Sequence, residues 1–115
     1  MMTNDTIDRD AGDTLAAVAR LLRHAAVLVW AQAEAEGPRS SLHLLGLGIH
    51  TASCQVVAML PADADLEGHP PAQDDVGQLL RSAEDLTRSI PVLDQTAGIS
   101  PLVVAICDLV REAKP

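Results

Sequence analysis

The sequence predicts an all-α fold, a four-helix and mostly antiparallel bundle, and three observations carry that expectation. Apolar residues recur at helical spacing in four segments separated by proline-containing breaks. The core must be built almost without aromatic side chains, because Phe and Tyr are absent and Trp30 stands alone in a chain that is 48% hydrophobic. Small aliphatic side chains bury little area each and pack best where backbones come close together, as they do between helices. The third observation is the lack of Asn-Gly or Asp-Gly hairpin signals in an Ala-rich chain. It counts against the rival α+β reading, in which the β-branched residues of 26–33, 42–50 and 55–60 would form strands.

The first helix is expected to start near Asp13, a good N-cap residue, and to run to about Glu36, before Gly37-Pro38. Leu15, Val18, Ala19, Leu22, Ala25, Ala26, Val29 and Ala33 form one stripe along it. Val27, Leu28 and Trp30 widen the apolar arc in its second half, which calls for cover on more than one side. A second helix is expected from Ser40 or Ser41 to Leu60. It is apolar on most faces and so suited to the centre of a bundle, with Gly48 and Ala52 allowing a neighbour to come close. Although this helix approaches the length of a membrane span, His43, His50, Gln55 and two glycines interrupt it and cationic flanks are missing.

The third helix has the clearest pattern: Val76, Leu79, Leu80, Ala83, Leu86 and Ile90 lie on one face, with Asp75 and Gln78 placed as a capping box. Arg81 with Asp85, and Glu84 with Arg88, are four apart on its outer face. The fourth helix is expected to open at Ser100-Pro101 and to turn Leu102, Ile106, Leu109, Val110 and Ala113 inward. The domain is therefore expected to span 13–115. A polar, acidic and flexible segment (1–12) precedes it, and a long loop joins the second and third helices.

The net charge of −8 repels phosphate backbones, so nucleic acid is not an expected partner. Residues 1–12 have neither the basic start nor the apolar run of a secretory signal, so a cytoplasmic location is expected, with no membrane partner. Two well-separated cysteines, Cys54 and Cys107, then read as reduced, buried thiols. A composition rich in Ala, Leu, Arg and Asp, with Lys114 as the sole lysine, is the bias of a GC-rich bacterial genome.

Chemistry-bearing patterns are sparse. No nucleophile elbow, phosphate-cradling loop or Glu-x-x-His pair occurs, so no catalytic residues are assigned and no cofactor is expected. His43, His50 and Cys54 share one helix face, and with Cys107 they form the candidate ligand or metal set. Asp63, Asp65, Glu67 and Asp74 match part of a twelve-residue calcium loop, but Pro70 and the short Asp74 depart from it and no second loop exists to pair with. Arg20, Arg23 and His24 form a small basic cluster, expected to pair within the molecule.

The apolar surplus on the first two helices leads to the main expectation. It is a small interaction module, homodimeric, that binds a partner protein through Leu28, Trp30, Leu44 and Leu47. The alternative is a bundle that binds a small ligand or metal, with a catalytic role or as the small subunit of an enzyme.

Overall fold

In the computed structural model, which describes residues 2–60, 74–90 and 99–113 and side chains from residue 12 onward, four helices pack against one another. Helix α1 (Met2–Glu36) buries its whole expected stripe from Leu15 to Ala33. It does not start near Asp13. The helix continues back to Met2. No proline interrupts that stretch. Once the buried half of α1 is fixed by packing, extending it by polar turns avoids a second nucleation cost.

Gly37 ends α1 in the left-handed region (φ 102°), where a residue with a Cβ would be strained, and its N–H donates to the Ala33 carbonyl at 3.0 Å. Ser40 links the two helices. Its hydroxyl donates to Glu36 Oε1 at 2.8 Å and accepts from the Leu42 N–H at 3.1 Å. Helix α2 (Leu42–Ala58) therefore takes its side-chain cap from Ser40, while Ser41, at the N-cap position, makes none.

Helix α3 (Val76–Arg88) starts as expected, with Asp75 Oδ1 accepting from the Gln78 N–H at 3.2 Å. It buries Leu79, Leu80 and Ala83, and Glu84 reaches Arg88 at 3.6 Å. Thr87 is fully buried, yet its hydroxyl is satisfied by donating to the Ala83 carbonyl at 2.7 Å. Helix α4 (Ile99–Ala113) begins at Ile99 rather than being capped by Ser100, and places Pro101 in its first turn, where the missing N–H is tolerated. Ile99, Leu102, Ile106, Leu109 and Val110 face the core.

The four helices form a ring. α1 packs on α2 and α3, α4 closes the ring on the same two helices, and the backbones of the diagonal pairs do not come close among the described residues. At the α2–α4 joint Gly48 faces Leu109: a Cβ there would stand 2.8 Å from Leu109 Cδ2, and the end of that side chain would have to move aside. In this ring α2 is not central, contrary to expectation. It covers itself on two sides with α1 and α4 and leaves its outer side in solvent, with Leu44 74% and Leu47 55% exposed. No strand occurs among the described residues.

Within α1, Gly12–Glu36 is the one described stretch long and apolar enough to cross a membrane by length and composition. Of its apolar window 44% is buried, and the core stripe accounts for that burial. A core helix of a bundle passes the same length and hydropathy test.

Candidate interaction face

Trp30 sits where α1 and α2 meet. Its ring lies flat enough over Gly46 that a Cβ at that position would come within 3.2 Å of three ring carbons, so glycine is what lets the indole rest on the α2 backbone. The His43 ring flanks it, centroids 6.2 Å apart and tilted by 42°, and His43 Nε2 is 3.1 Å from the Gly37 carbonyl. The contact tethers the indole on one side and leaves it 38% exposed on the other.

Exposed apolar side chains stand on both helices. Val27, one turn before Trp30, is 65% exposed; on α2, Leu47 follows Gly46 and is 55% exposed, while Leu44 turns to the other side of the helix from Gly46. Val57 extends the face towards the end of α2. Of the four residues expected at an interface, Trp30, Leu44 and Leu47 are exposed and Leu28 is half-buried against the core. The expectation omitted Val27 and Val57. The signal for Val27 was present in its spacing of three from Trp30 on a face that the core stripe does not use.

The second feature of this face is its charge. Helix α2 contains no Asp, Glu, Lys or Arg along its entire length, in a chain whose net charge is −8. Its exposed positions are Leu44, Leu47, His50, Thr51, Cys54, Gln55, Val57 and Ala58. A helix side open to water ordinarily carries charged residues, and this one does not.

The candidate ligand set is brought together only in part. Cys54 Sγ is 3.7 Å from His50 Nε2 on the exposed side of α2. His43 lies seven residues before His50, about 10 Å along the axis, and is engaged with Trp30 and Gly37. Cys107 sits on α4. Among the described residues no three His, Cys, Asp or Glu side chains are grouped to hold a metal ion. Both thiols are free, with Cys54 exposed and Cys107 half-buried, which corrects the expectation that both are buried. Cys54 turns outward because the core side of its helix is already taken by Ile49, Ala52 and Val56.

Of the calcium-loop candidates, Asp63, Asp65 and Glu67 lie outside the described residues. Asp74 is exposed, and its Oδ1 is 3.4 Å from His24 Nε2. That distance suits an ion pair when the imidazole is protonated, but the geometry is not that of a hydrogen bond, and the buried Nε2 has no hydrogen-bond partner among the described residues. A shallow cleft of about 510 Å³ opens beside it, lined by Gln32, Asp74, Asp75, Val76, Gly77 and Ala113. Asp75 is already used as the α3 cap.

No family profile matches the chain, and no curated protein or solved structure is detectably similar to it.

Proposed function

We propose that this protein is a non-enzymatic interaction module of the cytoplasm, which works by docking the outer face of α1 and α2 against another protein surface. The observation that supports this reading is the uncharged, exposed side of α2, with Val27 and Trp30 also exposed on the adjoining α1. Exposed apolar surface of this kind is a standing hydration cost, and a contiguous patch of it marks an interaction site. Covering Val27, Trp30, Leu44 and Leu47 adds about 5 kcal/mol of gross hydrophobic stabilisation per copy, at the usual worth of a buried aliphatic or aromatic side chain. That is the scale needed to offset the loss of rigid-body freedom on association. The indole, held on one side by Gly46 and His43, has the pre-ordered character of an interface anchor.

The test is photo-crosslinking in living cells with benzoylphenylalanine placed singly at Val27, Leu44 or Ser82. Ser82 is an exposed position on α3, away from the face. Protein adducts are expected at Val27 and Leu44 and not at Ser82. Equal yields at all three positions, or none at any, would remove the basis for the proposal.

A further inference from the structure

The geometry points to a second copy of this chain as the occupant of the α1–α2 face, packed across a two-fold axis that runs α1 antiparallel to its counterpart; this inference rests on the interaction role proposed above. Along the exposed side of α1, Arg23, Val27, Trp30 and Glu34 follow one another at spacings of four, three and four, the spacing of a helix–helix seam. The seam is self-complementary when reversed. Turning it about the midpoint of Val27 and Trp30 sets Val27 of each copy against Trp30 of the other. The same operation sets Arg23 of each copy against Glu34 of the other, so opposite charges meet twice. A two-fold interface requires this reciprocity, in which residue i meets j and j meets i.

On α2, Leu47 follows the glycine on which the Trp30 ring rests and is 55% exposed, so it adds apolar surface beside this seam.

Charge selects the same occupant. Two molecules of net charge −8 repel over most of their surfaces. α2 offers the approach with no like charge to oppose, and it has no charge with which to recognise a basic protein. Under this operation α1 overlaps its counterpart over residues 21–36, so the footprint is only roughly a few hundred Å² per copy from helix dimensions. This is below the ~800 Å² per partner of standard interfaces and implies a weak, reversible dimer rather than an obligate one.

The experiment is sedimentation equilibrium of the purified full chain from about 1 µM to a few hundred micromolar, at low and high salt, with the variants Arg23→Glu, Glu34→Arg and their combination. Both positions are exposed, and far-UV circular dichroism verifies that each variant remains helical. The wild type is expected to pass from monomer to dimer. Each single reversal places like charges together twice and weakens the dimer by about tenfold, and the double exchange restores it to within about threefold. Two results overturn the inference: a wild type that stays monomeric throughout, or a dimer whose strength ignores the reversals or is not restored by the exchange. A monomer that still gives photo-adducts to a different protein at Leu44 overturns the self-pairing alone. Absence of face-specific adducts together with a monomer overturns the interaction role as well.

Discussion

Replacing Leu44 by Ser separates the stability of the bundle from the use of its outer face, and the contrast with Leu22 gives the magnitude. Leu22 is wholly buried in α1, whereas Leu44 is 74% exposed and keeps only about a quarter of its surface covered. Full burial of a leucine is worth roughly 1.5–3 kcal/mol, so losing that covered quarter costs about 0.4–0.8 kcal/mol. Leu22→Ala removes core atoms and leaves a cavity, at a cost of about 3–5 kcal/mol, a large part of the ~5–15 kcal/mol that holds a domain folded. The assay is urea unfolding followed by far-UV circular dichroism at two protein concentrations. Any dimer adds a concentration-dependent increment to the wild type that Leu44→Ser lacks. At the lower concentration the serine variant should match the wild type to within about 1 kcal/mol. If Leu44→Ser destabilises the dilute protein as much as Leu22→Ala does, Leu44 is a core residue and the exposed face does not exist.

Three further outcomes are expected. Gly46→Ala drives a methyl group towards three Trp30 ring carbons at 3.2 Å, lifting the only indole in the protein outward; tryptophan emission should shift to the red, and an unchanged spectrum would disprove the contact. Asp75→Ala removes the side-chain acceptor for the Gln78 N–H and should cost about 1 kcal/mol, with Asp75→Asn retaining most of it; equal melting curves for alanine variant and wild type would show that the cap contributes nothing. Ellman's reagent should modify Cys54 before Cys107, since Cys54 is exposed and Cys107 half-buried, and Cys54→Ser should abolish the fast phase; a fast phase that survives this substitution would contradict the arrangement.

The parts of the structure legible in the sequence are those fixed by local, redundant signals. The stripe from Leu15 to Ala33 repeats over five turns, so one ambiguous position does not shift the face, and all of it is buried. Asp75 with Gln78 identified the start of α3 because the cap has a short-range mechanism that needs no neighbour. The start of α1 was missed because Asp13 is one of several capping-competent aspartates, after Asp5, Asp8 and Asp10, and nothing local marks which of them stops a helix growing backwards. The position of α2 was misjudged for another reason. Apolar residues all round a helix mean either that the protein covers every side or that something else must, and hydropathy is the same in both cases. Exposed Leu44 and Leu47 distinguish them. The pairing of His24 with Asp74, and of Gly48 with Leu109, joins elements distant in sequence, which no local periodicity encodes.

The ring of helices also implies an order of assembly. The α1–α2 corner is joined by a connection of a few residues, tied by Gly37 and Ser40, so its chain-entropy cost is small. The α2–α4 corner brings Gly48 to Leu109 from some sixty residues away, and among the described residues it is the only close backbone approach of α4 to the first half of the chain. Long-range closure of this kind comes late in folding, and its opening is the least costly partial unfolding available. The α2–α4 corner is thus the latch of the fold: the place where the last helix seats, and where amide exchange should reveal the first helix to leave.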